Sequence, residues 1–535
     1  MISSFPGSIR RLSSILYLVF IFSFGMAGQP QTYKQQIANK ILDRLYEVSA
    51  YPEIQKPKLI ILPSKTLAAQ YVPASNTIFI EDALYLICRS FGKDSLNALA
   101  FIIGHELTHA IYKDLNLGLV PSSYLNYAGS FIPNEREEQV ADLQGSFLAT
   151  LSGYPTQQIL SGLIEKIYDS YHIEDKPTDA YPPKYKRVES AQKVLTQLQH
   201  LLVVFENANL LVVKSEYELA QSLYDYILQY YQGLEIYNNK GLALALQAMR
   251  YYNEETDAYV HPLELDQHSR LKKFNKSRGD LTPENLQKRM QLLRQAKTCF
   301  ESALSLNQEY LPAKIHMISC YNLMNQPEEA VRFYEKDKFF NSKKTKTGSK
   351  NFQINQAIGI SYALLNNKRA RRYFNSSIPE QQVDLTSNAN YNLELFKSHQ
   401  KKNKIKQQLL QPFACIPSAE ANLNKTQLFN DNFSESNLIH FNSGSNMLEL
   451  KYKIEADKQI YLFKNNEMPL LSIIRKKVDE KGILDFQKMK RDLDPGCQSQ
   501  QTSSLGTFYS FESFNRVFLT NNQGMITEQF QFIYN

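Results

Sequence analysis

The chain has 535 residues, of which 60 are basic and 53 acidic, giving a formal net charge of +7. This small excess does not indicate a nucleic-acid-binding protein, and the length is typical of three or four domains. The five cysteines form no C-x-x-C pair and are too few for a disulfide scaffold, so neither a cysteine-based metal site nor a disulfide-rich fold is indicated.

The first residues have the pattern of a signal peptide. Arg10 and Arg11 precede a short apolar stretch, 12–24, and 25–27 offers small residues for cleavage. The alternative is an uncleaved anchor, but the apolar stretch is short for the ~20 residues that cross a bilayer. We therefore expect residues 1–27 to be removed and the mature chain to be periplasmic or secreted, without a spanning segment.

The next elements are a helix and a short β region. Residues 31–49 have the apolar spacing of a helix, and 57–62 predicts a strand. The stretches 68–72 and 77–80 flank Pro-Ala-Ser-Asn at 73–76, which predicts a β-hairpin.

A His-Glu-x-x-His motif lies in the apolar run that follows, where we predict a helix capped by Asp94-Ser95. Residues i and i+4 share one face of a helix, so His105 and His109 point the same way and suit a tetrahedral zinc ion. Glu106 lies beside them and is expected to act as a general base rather than as a ligand. On its own, the histidine pair could equally be packing residues of a buried helix.

A catalytic zinc site needs a third protein ligand, and a second predicted helix, 134–152, offers one. Glu138 and Asp142 share a face of this helix. We expect Glu138 to be the third ligand and Asp142 to accept a hydrogen bond from a ligating imidazole. Ala141 and Gly145 are small enough for close packing against the histidine helix. An acidic run alone is usually solvated, but the two motifs together favour one Zn²⁺ per chain.

Together the two motifs, His105-Glu106-x-x-His109 and Glu138-x-x-Ala141-Asp142-x-x-Gly145, resemble the gluzincin endopeptidases of the HtpX, CAAX prenyl protease and periplasmic barrel-assembly-enhancing protease type. This is metallopeptidase family forty-eight, and the resemblance covers roughly residues 55–195. It implies that the hairpin edge strand holds an extended substrate by backbone hydrogen bonds. The integral-membrane relatives embed the site among spanning helices, which this sequence does not offer.

A third segment carries the same resemblance. Tyr181-Pro182-x-x-x-x-Arg187 resembles the His-Pro-x-x-x-x-Arg segment of that family, with tyrosine where histidine is usual. The resemblance implies that Tyr181 donates a hydrogen bond to the oxyanion; the alternative is a purely structural tyrosine. Arg187 is expected to be an ion-pair partner near the site.

Helical hairpins are predicted from about 205 to 405, with 253–285 as a polar insertion. A small residue and an aromatic residue four positions later recur at a spacing of 34 and again after an insertion, as Ala296 and Phe300, Ala330 and Tyr334, and Ala370 and Phe374. This pattern resembles tetratricopeptide repeats. Residues 406–535 alternate polar and apolar positions and end in a predicted hairpin at Asn521–Gly524. Cys415 and Cys497 are a possible disulfide in this region.

These patterns predict an α+β fold that is mostly α, with a signal peptide (1–27), a metallopeptidase domain with a small β-hairpin sheet (28–204), a tetratricopeptide-like solenoid (205–405) and a β-rich domain (406–535). The expected function is an exported zinc metalloendopeptidase that hydrolyses extended or misfolded proteins. The expected partners are protein or peptide substrates and an envelope assembly complex bound through the repeats. The alternative is a non-proteolytic periplasmic scaffold or chaperone built on a latent metallopeptidase domain.

Overall fold

The computed structural model describes residues 33–49, 55–66, 68–114, 133–173, 183–251, 253, 255–263, 282–337, 340, 351–377, 383–400, 437–443, 446–455, 458–465, 468–492, 498–503, 506–511, 515–521 and 525–534. The fold is α+β and mostly helical, as predicted. The predictions for the signal peptide, Tyr181, Cys415 and Cys497 lie outside the described residues and stay predictions. Within the described part of the chain, each helix is too short or too polar to span a bilayer.

A three-stranded sheet stands before the histidine helix. Its strands are β1 (Lys58–Leu62), β2 (Ala69–Val72) and β3 (Thr77–Glu81), in the order β1-β3-β2. β3 pairs parallel with β1 and antiparallel with β2, so the predicted hairpin is confirmed and β2 is an edge strand. The hairpin turn closes on Asn76, whose φ of 45° is a left-handed conformation that asparagine tolerates well.

Six helices of the described chain form the rest of the N-terminal region: α1 (Tyr33–Ser49), α2 (Asp82–Arg89), α3 (Ser95–Asp114), α4 (Pro133–Leu151), α5 (Leu160–Tyr171) and α6 (Lys184–Lys214). Helix α3 is buried on nearly every side between Ala98 and Ile103, which matches its almost uncharged sequence. Helix α5 begins at Leu160, after a turn formed by residues 156–159.

Helix α6 is a single helix of 31 residues. The predicted domain boundary between residues 204 and 205 therefore falls inside a helix. Side chains from Asn207 to Lys214 are all buried, because α6 lies between the N-terminal helices and the C-terminal sheet. His200 meets the ring of Tyr452 at a centroid distance of 5.9 Å, and Glu206 accepts a hydrogen bond from Arg475 at 2.8 Å.

Helical hairpins follow α6, as predicted. The described helices here are α7 (Tyr217–Leu228), α8 (Leu234–Ala248), α9 (Pro283–Leu306), α10 (Leu311–Leu323), α11 (Pro327–Lys336), α12 (Asn351–Leu364), α13 (Arg369–Asn375) and α14 (Val383–Gln400). Phe300 and Phe374 are fully buried. A β-carbon added at Gly241 would lie 2.6 Å from the ring of Phe300, and one at Gly359 would lie 2.9 Å from that of Phe374. These aromatic residues thus fill grooves between neighbouring helices.

The segment predicted as a polar insertion at 253–285 contains no helix or strand in its described part, 253 and 255–263, but much of that part is buried. Thr256, Tyr259 and His261 are buried, and Arg289 of α9 is fully buried beside them. The guanidinium of Arg289 pairs with both carboxylate oxygens of Asp257, at 2.7 and 2.8 Å. A polar segment is needed there because a buried guanidinium must be neutralised and hydrogen-bonded.

The C-terminal region is an eight-stranded antiparallel sheet in the order β4-β5-β6-β7-β11-β10-β9-β8. The strands are β4 (Leu438–Ser443), β5 (Asn446–Ile454), β6 (Lys458–Asn465), β7 (Met468–Lys477), β8 (Gln498–Ser503), β9 (Gly506–Phe511), β10 (Arg516–Thr520) and β11 (Ile526–Tyr534). The predicted terminal hairpin is confirmed as β10 and β11. One face of the sheet shares a core with α6, and helix α15 (Glu480–Asp492) packs Phe486 against Phe518 on the other.

Candidate metal centre

Helices α3 and α4 touch backbone to backbone at a pair of glycines. A β-carbon on Gly145 of α4 would lie 2.6 Å from the amide nitrogen of His105, and one on Gly104 of α3 would lie 2.8 Å from the carbonyl oxygen of Gly145. Neither position can accept a side chain without a backbone shift. Sequence reasoning identified the small residue at 145 but not its partner at 104. The close crossing brings the two ligand helices together.

Three side chains converge at this crossing. Nε2 of His105 lies 3.2 Å from Nε2 of His109 and 3.3 Å from Oε2 of Glu138, while Nε2 of His109 lies 3.4 Å from Oε1 of Glu138. Ligands placed ~2.0–2.1 Å from a tetrahedral zinc ion are separated by about 3.3–3.4 Å. The donor set and its spacing therefore fit one zinc ion. Among the described residues, these three side chains form the group of histidines and carboxylates that could hold a metal ion.

The cluster is buried on one side and accessible on the other. The side chain of His105 is 11% exposed, whereas those of His109 and Glu138 are 30% and 38% exposed. A substrate could therefore reach the cluster from the side of His109 and Glu138. This asymmetry suits a site with an accessible coordination position, whereas structural zinc sites are closed by four protein ligands.

Asp142 and Arg187 support the cluster from behind. Oδ1 of Asp142 lies 2.8 Å from Nδ1 of His105, which directs Nε2 of that ring towards the cluster. Arg187, in the first turn of α6, donates to both carboxylate oxygens of Asp142, and its Nη2 lies 3.4 Å from Oε2 of Glu138. The fully buried Asp142 is thus neutralised and fixed in orientation.

The charges of these groups shift one another's pKa values. Burial alone would lower the pKa of His105, but the neighbouring Glu138 and Asp142 carboxylates outweigh it and raise that pKa to about 10. Burial acts to raise the pKa of Glu138, but His105 and Arg187 hold it well below its usual range. The pKa of Asp142 is lowered in the same way, against its own burial, by Arg187 and His105. The two carboxylates that stabilise a protonated His105 would equally stabilise a cation bound beside it.

Glu106 reaches from α3 to the edge strand of the three-stranded sheet. Glu106 is buried, with 8% of the residue exposed. Its Oε2 accepts a hydrogen bond from the backbone amide of Tyr71 at 2.7 Å. Burial raises the pKa of this carboxyl group. Sequence reasoning did not find Tyr71, because a backbone amide carries no sequence signal.

The structure thus brings together five of the residues singled out in the sequence: His105, His109, Glu138, Asp142 and Arg187. Glu106 lies between α3, which carries the two histidines, and the edge strand β2. Tyr181 lies outside the described residues.

Comparison with known proteins assigns the chain to no family. The chain matches no protein-family model, and no curated protein matches its sequence. A function is therefore inferred from the side chains of the site itself.

Proposed function

We propose that the chain is an exported zinc metalloendopeptidase of the gluzincin type, acting on extended or misfolded proteins. The observation that carries this proposal is the cluster of His105, His109 and Glu138: the two Nε2 atoms lie 3.2 Å apart, and each lies 3.3 or 3.4 Å from one of the two carboxylate oxygens of Glu138. Two imidazoles and one carboxylate are a ligand set of catalytic zinc, which leaves the fourth position for water or substrate.

When bound, zinc supplies Lewis acidity, which polarises a carbonyl group and makes water a better nucleophile near neutral pH. The residues of the chain supply the rest. Glu106 takes the proton from the attacking water and passes it to the leaving amine nitrogen. Asp142 holds the His105 ring, and Arg187 holds both carboxylates in place. Tyr181 is the proposed hydrogen-bond donor to the oxyanion.

The edge strand supports an endopeptidase that accepts extended chains. β2 is the outer strand of its sheet and lies beside Glu106. An extended peptide can add to such an edge by backbone hydrogen bonds, which requires little of its side chains. The helical hairpins after α6 would present substrate proteins or an envelope assembly complex, and the pattern of residues 1–27 supports export.

The experiment compares zinc content and casein cleavage in four purified proteins. We expect the wild type to bind one zinc per chain and to cleave casein in a chelator-sensitive manner. Glu106→Gln should keep the zinc and lose activity by a factor of ~10²–10⁴, because only the proton acceptor is removed. His105→Ala should lose the zinc. Glu165→Gln changes an exposed carboxylate on α5 and should retain both properties.

Each negative outcome has a distinct meaning. A wild-type protein that binds no zinc would overturn the metal centre. A fully zinc-loaded wild type that leaves casein and a peptide library intact would overturn the peptidase and favour the scaffold or chaperone alternative.

A further inference from the structure

The backbone amide of Tyr71 faces Glu106 rather than another strand. Tyr71 lies opposite Ile78 of β3, on the edge strand β2. Backbone groups along an antiparallel strand point alternately towards and away from the partner strand. The carbonyl of Ala68 accepts a hydrogen bond from Glu81 of β3, so Ala69 and Tyr71 are the positions whose amides point outward. The outward-pointing amide of Tyr71 donates a hydrogen bond to Oε2 of Glu106 at 2.7 Å.

This hydrogen bond joins two elements that are far apart in the sequence. Glu106 lies on α3, and 35 residues separate it from Tyr71. Tyr71 is itself fixed, because its ring is buried and its hydroxyl donates to Oδ1 of Asn76 at 3.1 Å. Among the described residues, the amide of Tyr71 donates this hydrogen bond to the Glu106 carboxylate. A rigid hairpin therefore holds a carboxylate that would otherwise rotate about its side-chain bonds.

We propose that the Tyr71 amide is a positioning group for the general base, holding one oxygen of Glu106 so that the carboxylate stays aimed at the reacting water. Tyr71 is thus a positioning residue and does not touch the reacting atoms. The inference rests on the proposed function. It predicts two roles for the edge of β2: one of its outward amides holds the general base, and the edge also binds an extended substrate strand.

The first test measures hydrogen exchange of single backbone amides, which needs neither zinc nor activity. An outward amide of an edge strand exchanges rapidly unless something accepts its hydrogen bond. We expect the Tyr71 amide to be protected in the wild type and to exchange about tenfold faster in Glu106→Ala, which has no acceptor. Glu106→Gln keeps an acceptor oxygen and should retain the protection. The amides of β3 serve as the internal reference and should not change.

The second test separates the amide from the side chain by comparing two substitutions at one position. Tyr71→Ala removes the ring and keeps the amide, whereas Tyr71→Pro removes both. Proline is tolerated in an edge strand where the amide points away from the sheet. Relative to Tyr71→Ala, we expect Tyr71→Pro to lower kcat by about tenfold, with KM and zinc content unchanged, since one hydrogen bond to a charged group is lost.

The outcomes distinguish this inference from the proposed function. Rapid exchange of the Tyr71 amide in the wild type would overturn the inference even in an active enzyme. Equal kcat in the two variants would do the same, and a rise in KM alone would assign the amide to substrate binding instead. An inactive or zinc-free wild type would overturn the proposed function, while the exchange experiment would still report whether the hairpin holds Glu106.

Discussion

Gly145 lies so close to His105 that a β-carbon at position 145 would stand 2.6 Å from the His105 amide nitrogen. This contact sets the separation of α3 and α4, and so the distance between the histidines and Glu138. We expect Gly145→Ala to force the helices apart, to cost about 1–3 kcal/mol of stability and to weaken zinc binding. Thermal denaturation and competition with a zinc chelator measure the two effects.

Gly162→Ala is the matched control for this prediction. Gly162 lies on the exposed side of α5, and a β-carbon there would be 3.9 Å from the ring of Phe91, an ordinary contact. Alanine is a better helix former than glycine, so Gly162→Ala should be neutral or stabilise the protein by up to about 1 kcal/mol. Wild-type zinc affinity in Gly145→Ala would show that the glycine contact does not set the site.

The supporting pair Asp142 and Arg187 gives a second prediction. Asp142→Asn removes a fully buried charge that holds both Arg187 and His105. We expect it to lower zinc affinity about 10–100-fold, the usual effect of losing a partner behind a metal ligand. It should also destabilise the protein by about 3–5 kcal/mol, because Arg187 is left buried with only the longer, 3.4 Å contact to Glu138 as a counter-charge.

A double-mutant cycle tests whether the two residues act as a unit. Arg187→Met removes the guanidinium, and the double variant Asp142→Asn, Arg187→Met leaves no unpaired charge in this pair. The double variant should therefore be more stable than the sum of the single changes predicts, by about 0.5–3 kcal/mol. Strict additivity, measured by chemical denaturation of all four proteins, would argue against the pairing.

The ligand set was predictable from sequence because it depends on helical spacing. His105 and His109 share a face, as do Glu138 and Asp142, whatever the rest of the chain does. The hairpin was predictable because its strands flank a turn segment. The contact of Glu106 with Tyr71 was not, since every residue but proline offers the same amide. Nor was the burial of Arg289, because a charged residue is ordinarily assigned to the surface and its partner lies 32 residues away.

Glu81, at the end of β3, gives a prediction about pH. Its carboxylate accepts hydrogen bonds from the Ser64 hydroxyl, from the amide and hydroxyl of Thr66 and from the amide of Ala68, at 2.8–3.0 Å. Burial acts to raise the pKa of Glu81, but these hydrogen bonds lower it from 4.5 to about 2. The ionised carboxylate thus stabilises the loop that leads into β2.

The sign of the effect follows from the lowered pKa. The stabilisation is fully present above the unfolded-state pKa of 4.5 and is lost as the pH falls towards about 2. Glu81→Gln should cost about 1–3 kcal/mol at pH 7, and the difference from wild type should shrink below pH 4.5. Urea denaturation across this pH range measures it. Asp82→Asn, which removes a partly exposed ion pair with Lys34, is the control and should cost at most ~1 kcal/mol. A pH-independent difference for Glu81→Gln would contradict the assignment.

Asp257 tests whether the segment around it belongs to the core. Arg289 is fully buried, and besides pairing with Asp257 it donates to the carbonyl oxygens of Tyr251 and Leu323, at 2.9 and 3.0 Å. It also donates to the carbonyl oxygen of Ala248, the last residue of α8, at 3.3 Å, and therefore joins α8, the segment 255–263 and the end of α10. Asp257→Asn leaves this cation uncompensated, and we expect a loss of about 3–5 kcal/mol in thermal denaturation.

Glu255→Gln is the control two residues away, because Glu255 is exposed and is bonded only loosely to Asn325, at 3.3 Å. This substitution should change stability by no more than ~0.5 kcal/mol. If the two variants were equally stable, the segment would be a dispensable surface insertion after all. If Asp257→Asn alone is destabilising, the helical hairpins before and after the segment share one core, because the single charge of Asp257 neutralises the guanidinium that links them.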